Sequence, residues 1–259
     1  MHNWLDILKN EFDHPAIVLW RAVELRHIEE FLKKHELSLP ILDLGCAEGK
    51  IAGALFEDKK LIGLDNSWEL ISENKKANIY KALILADGCR MPFKNSTFGS
   101  VFSNCVIEHI LDIDNVLKEV SRVLKDNGVF LFTVPSHKFG DFLFFSKVFK
   151  NLGLKRLAQW YGKKRNTQLN HFHCYDHNRW KQMFKEKGLE LIEYRYYMTE
   201  EETFVWDFLA AVVFVLRSIW PLRYLIPKLN RWLSWYLCKF YNMDSQTGGG
   251  LLLLAQKGV

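Results

Sequence analysis

The sequence contains no C-x-x-C pair. Its five cysteines (Cys46, Cys89, Cys105, Cys174 and Cys238) are widely separated and odd in number. That excludes a fully paired disulfide scaffold and suits a reducing compartment. An excess of one charge is also missing. The 35 basic and 30 acidic side chains leave a net charge of only +5, too small a sum to declare a nucleic-acid binder. The start, MHNWLDILKNEFDHP, lacks the apolar region of a secretory signal, so the cytoplasm is the default expectation. Internal repeats are absent, and the only low-complexity tract is Gly248-Gly249-Gly250. What is present is a chain of 259 residues, 49% apolar, easily long enough to bury one large α/β core.

Hydrophobic patterning orders that core. Residues 1–39 read as helical, with Asp13-His14-Pro15 as a start signal and Pro40 as a stop. Short apolar strands are expected at 41–45, 61–65, 82–86, 100–104 and 129–134. Helices are expected at 51–56 and from Trp68 to about Ala77. The clearest helix carries Ile113, Val116, Leu117, Val120, Val123 and Leu124 at 3.6-residue spacing, with Gly128 expected in the left-handed position beyond its end. Asp176 is placed to cap a helix bearing Trp180, Met183 and Phe184, ended by Gly188. Strands follow at 189–197 and 251–255. Strands alternating with helices at this spacing imply an α/β fold whose parallel sheet is covered on both faces.

The segment Leu42-Asp43-Leu44-Gly45-Cys46-Ala47-Glu48-Gly49 forms the first strand-to-helix turn, where such sheets bind ligands. Asp65 ends the next strand and can accept hydrogen bonds from ribose hydroxyls. A pyrophosphate fingerprint G-x-G-x-x-G would need glycine at 45, 47 and 50, but the residues are Gly45, Ala47 and Lys50. Asp43 and Glu48 would moreover set negative charge against a pyrophosphate. A ligand bearing ammonium and sulfonium groups gains from those carboxylates, so S-adenosyl-L-methionine is favoured over NAD.

With LDLGCAEG, LIGLDNS, LADGCRMPF, SNCVIEHI and VLKDNGVFLFTVPS in this order, the chain resembles the class I S-adenosylmethionine-dependent methyltransferases, best in the quinone-biosynthesis and small-molecule branch. The likeness covers about residues 40–135. It implies a Rossmann-like sheet of seven mostly parallel strands, the last antiparallel, with helices on both faces and a helical cap insertion. It further implies that Asp43, Gly45 and Gly49 shape the methionine pocket, Asp65 holds the ribose, Asp87 and Gly88 reach the adenine, and Asn104 lies beside the sulfonium, with Cys46 and Asn66 as further cofactor-binding residues. Glycine is common in the family where this chain has Ala47.

Methyl transfer is an in-line displacement, so the protein must align the reactants and remove a proton where the nucleophile carries one. His109, just after the fourth strand, is the first candidate base. His171 and His173, which would share a face on an extended segment, are next, with His173 taken as the second catalytic residue. Some relatives carry E-x-x-E-H here and bind a divalent ion. Cys105 replaces the first glutamate, and the spacing of His171, His173, Cys174 and His177 matches no common zinc pattern, so no metal is expected.

Beyond residue 135 two stretches stand out. Residues 136–175 read as a basic lid, because seven basic side chains and no acid fall between 147 and 165. Residues 203–247 read as an aromatic helical insertion, with eleven aromatics in 203–243. Its longest uncharged run, Phe208 to Leu216, would span about 14 Å as a helix, against about 30 Å of bilayer hydrocarbon. It cannot cross. Either these helices pack on the domain as a lid with the tryptophans as core, or they lie in a membrane interface, which Trp206, Trp220, Trp232, Trp235 and Tyr236, with Arg217, Arg223, Lys228, Arg231 and Lys239, suit and which is the favoured reading. The expectation is therefore methyl transfer to a small hydrophobic or lipid-linked acceptor at a membrane surface. The competing readings are an RNA 2′-O-methyltransferase, disfavoured by the sparse aromatics of the basic run, and a non-catalytic cofactor-binding scaffold.

Overall fold

A computed structural model describes residues 2–12, 14–56, 61–74, 79–219, 221, 224, 226 and 245–258. Two compact units emerge. The first comprises Phe31–Pro135, Asn170–Arg195 and Leu251–Val259, and the second Met1–Glu30, Ser136–Leu169 and Tyr196–Gly250.

The sheet-forming strands are β1 (Ile41–Leu44), β2 (Leu61–Asp65), β3 (Tyr80–Leu85), β4 (Phe98–Asn104), β5 (Leu124–Pro135), β6 (Leu189–Tyr197) and β7 (Gly250–Lys257), in the spatial order β3-β2-β1-β4-β5-β7-β6. The pairs β1–β2, β1–β4, β2–β3 and β4–β5 are all parallel, with Asp43 level with Gly63 on one side and Phe102 on the other. β7 runs antiparallel. Lys257 at its end reaches the Leu124 carbonyl at the start of β5, and Gly249 just before it accepts from the Ser136 N–H just after β5. The strand order reverses between β1 and β4. Ligands bind at such a reversal because the chains leaving the two carboxyl ends diverge and open a crevice.

Between the strands lie α3 (Lys50–Leu55), α4 (Trp68–Asn74), α5 (Ile113–Val123) and α9 (His177–Glu186). In α5 the Asp112 carboxylate accepts from the Asn115 N–H, and Ile113, Val116, Leu117, Val120 and Val123 are buried. Each such side chain contributes roughly 1.5–3 kcal/mol relative to exposure. Asp176 caps α9 through the Arg179 N–H, and Trp180 and Phe184 set their rings 5.2 and 5.9 Å from Phe132 of β5. Gly188 follows with φ +73°, as its position predicts.

The end of α5 differs from expectation. The chain turns extended at Leu124 and enters β5 directly, and it is Asn127, not Gly128, that takes the left-handed conformation (φ +61°). Gly128 is needed for space instead, since a Cβ there would meet the Lys125 carbonyl at 2.8 Å. β3 likewise starts at Tyr80 rather than Ala82.

In the second unit, α6 (Phe139–Phe142), α7 (Phe144–Asn151), α8 (Lys155–Gln168) and α10 (Glu200–Ser218) join α1 (Trp4–Leu8) and the amino-terminal part of α2 (Pro15–Lys34). The expected basic lid thus divides: 136–169 are helical and belong here, whereas 170–175 belong with the sheet. A capping box opens α10, with Thr199 accepting from the Glu202 N–H and the Glu202 carboxylate from the Thr199 N–H. Trp206 is half-buried. It packs with Trp20 and Phe139 at 5.6 and 5.5 Å, under the Arg165 guanidinium. Trp220, Trp232, Trp235, Tyr236, Arg223, Lys228, Arg231 and Lys239 lie outside the described residues. Among the described residues no helix is long and apolar enough to cross a membrane.

Candidate active site

The β1–α3 turn is built by a conflict that only glycine resolves. Gly45 has φ +78°, and a Cβ there would fall 2.4 Å from Val106. Its N–H and that of Cys46 both donate to the Leu64 carbonyl, which bends the turn across the end of β2. Ala47 sits at φ +42°, a left-handed conformation that costs a residue with a Cβ about 1–2 kcal/mol. Asp65 offsets that strain: its Oδ2 accepts from the Ala47 N–H and its Oδ1 from the Ser67 N–H, each at 2.9 Å. Every carboxylate oxygen has two acceptor directions, so both keep one for a ribose hydroxyl. Asp65→Ala is expected to weaken cofactor binding at least tenfold and to lower the melting temperature as well, because two backbone donors lose their acceptor. Calorimetry and thermal melting check both, and an unchanged affinity would remove the ribose assignment.

Asp43 lies beside this turn, 3% exposed, and accepts a hydrogen bond from the Tyr80 hydroxyl. Burial, with the charge of Asp65 adding to it, pushes its carboxyl up from the ordinary 3.8 to about 7 although the Tyr80 bond opposes the rise. Two neighbouring buried carboxyls that form no ion pair among the described residues are a set that a sulfonium and an ammonium would fit. A pyrophosphate would worsen the repulsion.

The remaining predicted residues are placed unevenly. Gly49 ends the turn at φ +76° as the N-cap of α3. The Cys46 side chain points away from the turn and onto the sheet, where a Cβ on Gly63 would meet its sulfur at 2.9 Å, so only its backbone belongs to the site. Asn66 is exposed just past Asp65. Asp87 is exposed after β3 and takes the Cys89 N–H, forming a turn above the buried Gly88. Asn104 ends β4 with its Nδ2 donating to the Thr133 hydroxyl of β5 at 2.8 Å. Thr133 also takes the Cys105 N–H, where φ is +50°. That anchoring residue, 28 to 29 positions away, left no trace in the sequence pattern.

His109 follows on a short 3-10 turn, Ile107–His109. Its Nδ1 lies 3.0 Å from the Asn170 carbonyl, which can only accept, so Nδ1 carries the proton and Nε2 keeps its lone pair. Nε2 stands 3.8 Å from Oε1 of Glu108, a carboxylate only 1% exposed on its side chain. The His171 ring lies 5.6 Å from that of His109. Glu108, His109 and His171 therefore converge, with potential ligand atoms all within 4.8 Å of one another.

His173 does not join them. Residues 171–176 form no strand, so His171 and His173 share no strand face. Both nitrogens of His173 are engaged, Nε2 with the Ile110 carbonyl at 2.8 Å and Nδ1 with the Tyr175 hydroxyl at 3.2 Å. It pins the segment that delivers His171. The four-residue cluster 171, 173, 174 and 177 is not formed either. His177 stacks on Tyr194, and burial beside Glu108 pushes the Cys174 thiol up to about 12, away from the thiolate a metal needs.

Comparison with known proteins agrees with this geometry. Residues 42–132 match the methyltransferase-domain family. The malonyl-[acyl-carrier protein] O-methyltransferase of Legionella pneumophila is 33% identical over 99 residues, 36% of this chain and 35% of that protein. The demethylmenaquinone methyltransferase of Symbiobacterium thermophilum is 31% identical over 115 residues, 40% of this chain and 46% of that protein. The matched stretch spans less than half the length of either relative. A similar fold, at TM-score 0.56 and 13% identity over 90% of this chain and 77% of the other, is that of the Streptomyces coelicolor geranyl diphosphate C-methyltransferase, determined with Mg2+, geranyl diphosphate and S-adenosyl-L-homocysteine. Residues 42–132 thus match a methyltransferase domain, and the seven-stranded sheet around them has the fold of the class I S-adenosylmethionine-dependent methyltransferases.

Proposed function

We propose that the chain moves a methyl group from S-adenosyl-L-methionine to a small hydrophobic or lipid-linked acceptor at a membrane surface. One observation carries the donor half: the buried Asp43 and Asp65 carboxyls flank a glycine turn and form no ion pair among the described residues. Bound there, the donor supplies an electrophilic methyl carbon on a sulfonium. Asp43, Gly45 and Gly49 would hold its methionine end, Asp65 its ribose, and the Asp87–Gly88 turn its adenine, while Asn104 is braced by Thr133.

The acceptor half falls to His109. With Nδ1–H tied to the Asn170 carbonyl, Nε2 is fixed as the proton acceptor. The buried Glu108 carboxylate beside it stabilises the imidazolium once the proton arrives. Positioning of this kind contributes typically 10²–10⁴-fold. A greasy acceptor is suggested by the names of two similar proteins, a demethylmenaquinone and a geranyl diphosphate methyltransferase.

Incubation of the chain with labelled donor and separate lipid and RNA extracts tests the reading. Label is expected in the organic phase. Label in RNA would replace the acceptor class, and no thermal shift with the donor would remove the donor itself. The proposal treats Glu108, His109 and His171 as a proton-handling set although two imidazoles and a carboxylate also suit a borderline divalent ion. Transfer is therefore expected to survive dialysis against EDTA. Loss of activity that returns with Zn2+ or Mg2+ would convert the trio into a metal site.

A further inference from the structure

The α7–α8 hairpin shows a different chemistry from the sheet. Residues 150–157 are exposed without a break. Leu152 is 67% exposed, Leu154 48% and Leu157 38%, and Trp160 on the next turn is 52% exposed. Burying aliphatic side chains is a main source of folding stability, so several leucines displayed together at one tip are unusual for a surface that meets only water.

The tip is also rigidly made. Gly153 has φ +78°, its N–H donates to the Lys150 carbonyl and the Leu154 N–H to that of Phe149. This is a Schellman closure of α7, and it leads straight into α8. Exposure of the leucines is thus set by backbone geometry and is not the fraying of a loop.

Charge around the tip is one-sided. Of the seven basic residues between 147 and 165, two are occupied: Lys147 pairs with Glu200, and Arg165 with Asp207. Lys150, Lys155, Arg156, Lys163 and Lys164 are exposed and form no ion pair among the described residues, while Lys164 lies 4.8 Å over the Trp160 ring. An amphipathic tip of leucines and a tryptophan ringed by lysines fits the interface of an anionic bilayer, apolar groups reaching the acyl boundary and ammonium groups the headgroups.

RNA would ask for something else. Single strands are held by exposed aromatic faces on which bases stack, with basic residues between them. Here Trp160 is the one exposed aromatic of the run and Lys164 lies over its ring, whereas Phe149 and Tyr161 are half-buried, 6.4 Å apart, and the Tyr161 hydroxyl is spent on Asp207. Leucine offers no stacking surface.

We infer that the α7–α8 hairpin, through Leu152, Leu154, Leu157 and Trp160 and the five free cations beside them, docks this chain on anionic lipid. This rests on and deepens the membrane-surface reading above, adding 150–164 to the segment 203–243. Docking itself is measured with neither methyl donor nor acceptor, so its failure and the failure of methyl transfer are separate results.

The test is cosedimentation of the full chain with vesicles of phosphatidylcholine alone or with 30% phosphatidylglycerol. Binding to the anionic vesicles is expected to exceed that to the neutral ones at least tenfold and to fall with added salt. Leu152→Ser with Leu154→Ser should reduce it about tenfold at unchanged net charge. Lys155→Gln with Arg156→Gln should reduce it roughly fivefold per cation removed. All four positions are exposed, so melting temperatures should stay within a degree or two. Equal binding to both vesicles, or variants that bind as the parent does, would overturn the proposal. So would salt-sensitive binding to a 20-nucleotide RNA in place of vesicles.

Discussion

His109→Ala is expected to lower the turnover of methyl transfer by about 10²–10⁴-fold while leaving donor affinity within about twofold. The reason is geometric. Nε2 is the only ring nitrogen of His109 left with a lone pair, and it sits against Glu108 rather than within the Asp43–Asp65 turn. Loss should therefore appear in the chemical step and not in donor binding. His173→Ala makes the contrast. That residue is 8% exposed and engaged at both nitrogens, so its removal leaves Ile110 and Tyr175 without partners and lowers the melting temperature. The fraction that stays folded should turn over at the parental rate, because a pin alters the population of folded sites and not the proton acceptor. A His109→Ala enzyme with full turnover, or a His173→Ala enzyme that is as stable as the parent yet slow, would exchange the two roles.

The contrast also marks how far the sequence could be read. Local chemistry is visible in a string of residues: the acidic glycine turn, the 3.6-residue period of α5, the Asp176 cap and Gly188 stop of α9 all depend on neighbours a few positions away. Contacts across the fold are not. Tyr80 reaches Asp43 over 37 residues, Thr133 braces Asn104 over 29, and His109 meets the carbonyl of Asn170 over 61. The alternation rule paired His171 with His173 because it assumes an extended strand. The segment is instead shaped by two bonds to the 107–110 turn, from the Phe172 N–H and from His173. The same limit explains Asn127. Asparagine visits the left-handed region occasionally, and at Gly128 the glycine is needed for space, with the Lys125 and Gly99 carbonyls close by, a contact that no local pattern reveals. Trp206 stayed open for the opposite reason, since amphipathic aromatic residues suit an interface and a core equally well until their neighbours are known.

Asp43→Asn is expected to separate stability from binding. Burial raises the Asp43 carboxyl to about 7, so in the folded chain it holds a proton that the unfolded chain has lost above about pH 4. Its contribution to stability is therefore complete below that ordinary value, declines as pH rises, and is gone above about 7. The unliganded protein should lose melting temperature across this window, and the donor should restore it, since a cationic ligand rewards the ionised carboxylate. Donor affinity should accordingly fall by up to tenfold per unit as pH drops below 7. Asparagine keeps an acceptor for the Tyr80 hydroxyl and carries no charge. At pH 8 the variant should melt at or above the parent temperature, yet bind the donor about 10–100-fold more weakly, with the pH dependence of binding reduced. Melting curves from pH 5 to 9 with and without donor read every one of these effects. A variant that loses stability at pH 8, or binds the donor as tightly as the parent, would show that Asp43 serves the turn alone, and the cationic ligand would need another partner.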